Sequence, residues 1–299
     1  MNLTVTKLIG GLGNQLFQYA VGRAVSLQNR SELVLDDSPF IEYTDRKYSL
    51  DSFAIPQRFP SEEEASIIRS SLAAENVVPE KRRFFLNKFF RRARQQNLKI
   101  IKESRFPHFE PEILALPPNV YLDGYWQSAR YFQQIEEVLR KDLQLIKPLS
   151  PYSLNLRSQI MQKEAVSLHI RRADYISSSY ILNLIGICEP PYYHQAISEI
   201  LQRVPKAHFF IFSDEPGWAK ANLKLPEAHT LVEPPAPTKD YEDMILMSNC
   251  QHHIIANSTY SWWGAWLNPS KSKVVIAPKK WFNSWPDHVD LFLPNWIRL

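Results

Sequence analysis

The stretch HIRRADY (169–175) places one imidazole, two guanidinium groups and a carboxylate directly after an apolar run, residues 165–168. Guanidinium groups fixed at the mouth of a buried strand suit the clamping of an anion. Bidentate, charge-assisted hydrogen bonds do this, each contributing roughly 1.5–3 kcal/mol. Two more polar clusters follow apolar runs nearby: Ser213, Asp214 and Glu215 after residues 209–212, and Asn257, Ser258 and Thr259 after residues 254–256. The last of these opens a helical pattern whose first N–H groups lack intrahelical acceptors, a natural anion site. Any one such cluster is the ordinary solvated end of a strand, a lone His169 is more often a packing residue, and an Arg–Asp pair is often only a surface ion pair. Three clusters at three strand ends point instead to phosphate, with Arg171 or Arg172 as its clamp.

For these clusters to meet, the strands before them must be parallel neighbours, and the pattern predicts that. Strands at 166–170, 208–212, 229–232, 253–256 and 274–277 alternate with helices at 192–204, 217–223, 241–249 and 261–268. That alternation implies a parallel sheet covered on both faces, with ligands bound beyond the carboxyl ends of its strands. The first half also begins with a βαβ unit: strand 4–9, turn 10–14, helix 15–28, strand 32–36. A capping box, Ser61 with Glu64, opens a helix containing Ile67, Ile68 and Leu72. A strand at 120–126 and a helix at 128–143 follow. The stretch KPLSPYS (147–153) carries two prolines and little periodicity, which sets a boundary between a domain of residues 1–150 and one of residues 151–299.

Composition narrows the class. The 299 residues carry 35 Lys and Arg against 31 Asp and Glu, and a formal charge of +4 is too small for this length to imply a nucleic-acid partner. Only Cys188 and Cys250 occur, far apart, so neither a disulfide framework nor a thiolate metal site is suggested. No D-x-D motif occurs and no His/Cys set has ligand spacing. If the ligand is a nucleoside diphosphate sugar, its pyrophosphate leaving group must then be neutralised by Arg171 and backbone dipoles in place of a divalent ion, and no metal or cofactor is expected. The amino terminus lacks a signal-peptide pattern and no run of 18 apolar residues occurs, so the expected location is cytoplasmic.

Of only eight glycines, three fall at residues 10, 11 and 13, in GGLGNQLF (10–17). Gly11 and Gly13 after a strand, with Asp36 ending the next, match part of a dinucleotide-binding fingerprint and keep an NAD-dependent dehydrogenase open as a rival reading. Leu16 stands where the third glycine belongs, which argues against it. A nucleotide-sugar binding module without turnover is the other alternative.

Together GGLGNQLFQYA (10–20), HIRRADY (169–175), FSDE (212–215) and NSTYSWWGAWL (257–267) resemble the bacterial α1,2-fucosyltransferases, whose wider superfamily includes the α1,6- and protein O-fucosyltransferases. The resemblance spans most of the chain with its motifs in order. It implies an α/β protein of two Rossmann-like domains facing a cleft, the B-type glycosyltransferase fold. The first would bind the acceptor and the second GDP-fucose. The implied reaction is metal-independent and inverting, moving L-fucose to the 2-hydroxyl of a terminal β-galactoside. Carried over by motif, Arg171 would bind the pyrophosphate, His169 would lie against the nucleotide, Asn257, Ser258 and Thr259 would border the phosphates, and Asp243 would accept the guanine N–H groups. Asp174 and Asp214 match acids of the motifs, and Leu12, Gly13 and Asn14 match the turn facing the diphosphate and sugar. The base that deprotonates the acceptor stays open. Asn14 can orient but not deprotonate, whereas Asp174 could serve unless it pairs with Arg172.

Between Lys81 and Lys102 stand nine Lys or Arg and no acid, interleaved with phenylalanines, the pattern of a basic amphipathic helix. A surface helix packed on the first domain is the plainer reading. Contact with an anionic membrane or a lipid-linked galactosyl acceptor is the functional one, and nucleic acid is not expected. Tyr43, Tyr125, Trp126, Trp281 and Trp285 are further side chains of a kind that stacks on sugars, although core packing accounts for each.

Overall fold

The computed structural model describes residues 2–42, 46–76, 97–237, 239–283, 285 and 290–299. Its first half follows the order β1 (Leu3–Lys7), α1 (Leu12–Asn29), β2 (Glu32–Asp36), α2 (Pro39–Glu42), α3 (Glu62–Asn76), β3 (Lys99–Lys102), β4 (Val120–Asp123) and α4 (Glu136–Asp142). The four strands form one parallel sheet in the order β2-β1-β4-β3. The stripe read from the sequence is the buried face of α1: Leu16, Phe17, Ala20, Val21, Ala24 and Val25 are all buried. The helix starts three residues earlier than the spacing predicts. Gly10, with φ +74, turns the chain out of β1 in a conformation that glycine adopts at least cost, and Gly11 is the N-cap. Leu12, Gly13 and Asn14 therefore lie in the first turn of α1 and not in a loop.

The capping box forms as predicted: Glu64 accepts from the Ser61 N–H (2.9 Å), and Ser61 Oγ accepts from the Glu64 N–H (3.3 Å). Residues 128–143 depart from a single helix. Two 3-10 turns, Ala129–Tyr131 and Gln133–Ile135, precede α4 because Phe132 leaves the helical region (φ −130). In that conformation its ring stacks on Trp263 at 5.5 Å, so packing overrides the local period. Of the basic stretch, residues 77–96 lie outside the described residues. Its last four residues are a strand, since Lys99 to Lys102 pair with Val120 to Asp123, so the reading of 81–102 as one helix fails at that end.

The second half runs α5 (Pro151–Met161), β5 (Ala165–Ile170), α6 (Ala173–Ile176), α7 (Ser179–Ile185), α8 (Pro190–Arg203), β6 (His208–Ser213), α9 (Pro216–Asn222), β7 (His229–Val232), α10 (Asp240–Asn249), β8 (His252–Ile254), α11 (Thr259–Leu267), β9 (Val275–Ala277) and β10 (Ile297–Arg298). Its sheet is also parallel, in the order β10-β9-β8-β5-β6-β7. The register sets His169 beside Phe212 and Leu168 beside Ile254, so the three polar clusters leave one sheet edge. The architecture is thus α/β with two parallel sheets.

The halves are not separate cores. One apolar cluster runs from Leu8 through α1 and Trp126 to Trp262, Trp263, Trp281 and Trp296. Its centre is a ring box in which Phe17 lies 4.6 Å from Trp262 and 5.0 Å from Trp263. Gly13 faces the backbone of Thr259 and Tyr260, while Phe17, one turn on, faces Trp262 and Trp263. These matched pairs show that α1 and α11 pack side by side with their N termini together.

Candidate active site

The floor of the site is the meeting of those two N termini. A Cβ on Gly13 would stand 2.6 Å from the Thr259 carbonyl carbon and the Tyr260 nitrogen, so only glycine lets the helices approach this closely. The first N–H groups of both helices thereby open on one place, and their dipoles add there. Asn14 lies across the seam. Its Oδ1 accepts from Thr259 Oγ1 (3.0 Å) and from Gln127 Nε2 (3.1 Å), leaving its amide N–H groups as the donors for a ligand. Leu12 is buried in the core, so what it presents to the site is its backbone. Ser258 caps α11, its Oγ accepting from the Tyr260 N–H at 3.3 Å.

The HIRRAD loop forms one wall. Asp214 accepts from the Arg172 N–H (3.0 Å) and the Ala173 N–H (3.2 Å), and it pairs with Arg171 Nε at 3.3 Å. Asp214 is therefore the clamp that shapes the loop. The two arginines divide. Arg172 is committed within its own lobe, ion-paired with Glu215 (3.1 Å) and laid over the Trp218 ring at 3.8 Å. The pairing with Asp174 considered from sequence lies outside the described side chains. Arg171 is the more exposed guanidinium, its side chain 28% accessible against 11%. The Asp174 side chain and Tyr43 lie outside the described residues.

His169 is buried against the Tyr260 ring, centroids 5.8 Å apart. Burial, aided by the charge of Arg171, pushes its imidazole down to about 3, so it is neutral at working pH. Asn257 departs from the expected role. Its amide donates to the carbonyls of Gly186 (3.1 Å) and Trp281 (3.1 Å), because it bolts the end of β8 to the segments after α7 and β9. It braces the site and offers a ligand little. Asp36, the acid of the dinucleotide reading, is buried and accepts from Tyr121 Oη (2.7 Å) and the Ser38 N–H (3.1 Å), so no carboxylate is presented to a ribose.

At the far end of the site, Asp243 borders a small cavity with Pro234, Pro235 and Pro237. Burial, with Glu242 beside it, raises its carboxyl to about 6. Tyr260 joins this end to the seam, accepting from the Met244 N–H (2.9 Å) and donating to the Asp240 carbonyl. Burial pushes the Tyr260 hydroxyl well up from its ordinary value, with the charge of Asp243 acting the same way and that of Arg171 against it. Sequence reasoning missed Gln127, Trp218 and the linking role of Tyr260. Tyr260 sits inside a motif already singled out, whereas Gln127 and Trp218 carry no local signal. Among the described residues, no group of three or more His, Cys, Asp or Glu is arranged to hold a metal ion, and no helix is long and apolar enough to cross a membrane.

Comparison with known proteins places the chain in a family. The family model described as glycosyl transferase family 11 matches residues 4–299. An α-1,2-colitosyltransferase of Escherichia coli is 32% identical over 100% of this chain and 99% of its own. The O-antigen biosynthesis glycosyltransferase WbnK of Escherichia coli is 33% identical over 98% of this chain and 99% of its own. The human galactoside α-(1,2)-fucosyltransferase 1 is 22% identical over 61% of this chain and 53% of its own.

Proposed function

Because the chain belongs to glycosyl transferase family 11, we propose that it transfers L-fucose from GDP-fucose to the 2-hydroxyl of a terminal β-galactoside, with inversion at the anomeric carbon. The observation that carries this reading is the pair of helix N termini joined at Gly13 and Thr259, with Arg171 at the edge of the same sheet. It is a site for a diphosphate held without sequestering the sugar. The diphosphate lies over the first turns of α1 and α11. Arg171 leaves part of its pairing with Asp214 to bind the β-phosphate, where negative charge builds as the bond to the sugar breaks. Asp214 keeps the loop in place through the N–H groups of residues 172 and 173.

The guanine base enters the cavity of Asp243 and the prolines, where the ionised carboxylate accepts its N1–H and 2-amino groups. Neutral His169 and Tyr260 form the wall between base and phosphates. Asn14 and Thr259 hold the sugar end. The acceptor hydroxyl attacks from the face opposite GDP through an oxocarbenium-like state, so a β-linked donor gives an α-linked product. The scheme asks no metal to neutralise the leaving group. The division of roles, acceptor on residues 1–150 and donor on residues 151–299, belongs to this reading. So does attachment of the basic stretch 81–102 to an anionic membrane that carries the acceptor, which pelleting with anionic vesicles at low salt tests.

The test is GDP release from GDP-fucose in EDTA, with and without a β-galactoside. Acceptor-dependent release supports transfer, release that needs a divalent ion overturns the charge scheme, and binding without release supports a non-catalytic module. The relative that is a colitosyltransferase favours one second reading, in which the donor sugar lacks the 3-hydroxyl of fucose. Direct competition between the two donors decides. A site built to bond that hydroxyl discriminates strongly against the deoxy sugar because its own polar group is left unpaired.

A further inference from the structure

We infer that the acceptor sugar lies against a wall of Phe106, Tyr125, Phe282 and Trp285 above Gln127, and that Glu103 takes the proton from its attacking hydroxyl. This rests on the transfer reading above and names its second subsite.

The wall is built from both lobes. Phe106 and Tyr125 come from the loops after β3 and β4, and Phe282 and Trp285 from the segment after β9. The Phe106 centroid is 5.7 Å from Tyr125, 5.4 Å from Phe282 and 5.5 Å from Trp285. Tyr125 is 38% exposed. Phe282 is buried behind the half-buried Phe106 and Trp285, so the exposed ring of Tyr125 and the outer edges of Phe106 and Trp285 are what the apolar C–H face of a galactoside meets.

Its position borders the donor site on two sides. Asn283 donates from its backbone to the Leu184 carbonyl (3.0 Å) and from its side chain to the Leu182 carbonyl (3.1 Å), tying the wall to α7, which follows the Arg171 loop. On the other side Gln18, one turn beyond Asn14, donates to the Gly124 carbonyl (3.3 Å), and Gln127 donates to Asn14 itself. Gln127 is only 6% exposed, and its Oε1 is buried with no hydrogen-bond partner among the described residues. A buried acceptor of that kind is costly unless a ligand donates to it, and a sugar hydroxyl is such a donor.

Glu103 begins the loop after β3. Its carboxylate accepts from the Tyr125 N–H (2.6 Å) and the Trp126 N–H (3.1 Å), and Gly124 lies flat against it. Trp126, fully buried, holds φ +55, a conformation unusual for so large a side chain and one that tends to mark functional sites. Two of the roughly four acceptor directions of the carboxylate are used, which leaves room for a proton. Burial raises the group to about 7, with the Glu110 charge acting the same way and the two N–H donors against it. Tyr131, whose hydroxyl is itself raised in part by Glu103, and the Lys7–Asp123 pair at the ends of β1 and β4 are the other titratable groups around it. In the step, the acceptor oxygen bonds to the anomeric carbon, its proton passes to Glu103, and the electron pair of the breaking C–O bond leaves on the β-phosphate of GDP.

The experiment uses saturating GDP-fucose with lactose as the varied acceptor. Glu103→Gln should lower kcat at least 100-fold and abolish the fall in kcat that the wild type shows below about pH 7. GDP affinity by calorimetry should stay within about twofold. Tyr125→Ala and Trp285→Ala should each raise the KM for lactose about tenfold while the donor KM is unchanged. Transfer by Glu103→Gln within twofold of wild type, or an unchanged lactose KM in both wall variants, overturns the inference. If Glu103→Gln does not fold, the wall variants decide it. Wild-type protein that binds GDP yet transfers to no β-galactoside defeats the transfer reading and this inference together, whereas active wild type with indifferent variants defeats the inference alone.

Discussion

At the residue scale, both guanidinium groups of the HIRRAD loop are already paired, Arg172 with Glu215 and the Trp218 ring and Arg171 with Asp214, and Arg171 is the more exposed of the two. In the proposed scheme Arg171 is the one whose loss should register in chemistry. Arg171→Ala is expected to lower kcat about 10²–10³-fold, equivalent to about 2.7–4 kcal/mol of transition-state stabilisation. Its circular dichroism spectrum should be unchanged, since Asp214 still has two backbone N–H donors. In the proposed scheme Asp243 carries the pH dependence of donor binding, as distinct from that of kcat. Guanine N–H groups need an ionised acceptor, so donor affinity should be constant well above pH 6 and weaken as pH falls through about 6, read as a rising donor KM. Folding runs the other way. A folded-state pKa raised above the unfolded value gives stability that is present below the unfolded pKa and lost as pH rises through the folded one. Asp243→Asn should therefore raise Tm at pH 8 while abolishing tight donor binding, a site residue kept at the expense of stability.

At the element scale, the seam between α1 and α11 brings two helix N termini together, and the proposed diphosphate site depends on it. Gly13→Ala puts a methyl group into backbone atoms that cannot step aside. It is expected to cost on the order of 1–3 kcal/mol and to raise the donor KM, because separated N termini no longer share one ligand. Phe17→Ala, beneath the seam, opens the ring box between Trp262, Trp263 and Phe132. Chemical denaturation should show a loss of about 3–5 kcal/mol, with kcat falling only as far as the seam loosens. Comparing the two variants separates helix approach from core stability.

At the scale of the whole molecule, the lobes are held by contacts far apart in sequence. Asp290 accepts from the Phe109 N–H and pairs with Arg130, its carbonyl accepts from Ser128, and Ser49 reaches Asp240 across the cleft. A ligand bound at the seam should stabilise the whole unit: GDP at 100 times its Kd adds about 2.7 kcal/mol, and the accompanying rise in Tm should persist in EDTA. A rise that vanishes with the chelator would refute the charge scheme. Much of this was legible in the sequence. Alternating apolar runs and the polar clusters at 169–175, 213–215 and 257–259 are local patterns, and a parallel sheet brings their ends together whatever the details. The box at Ser61 and Glu64 is likewise complete within four residues. The fate of each polar group was not legible there, because it depends on partners 24 to 245 positions away: Asp214 under the loop of residues 171–173, Asn257 committed to Trp281, Asn14 held by Thr259. By itself the sequence determined that three polar clusters would gather at one edge of a parallel sheet, since periodicity and composition act over a few residues. Only the tertiary structure decided that Arg172 is buried against Glu215 and Trp218 while Arg171 stays the more exposed, and that Gly13 closes the seam, since burial and hydrogen-bond satisfaction are settled between elements that the chain brings together only by folding.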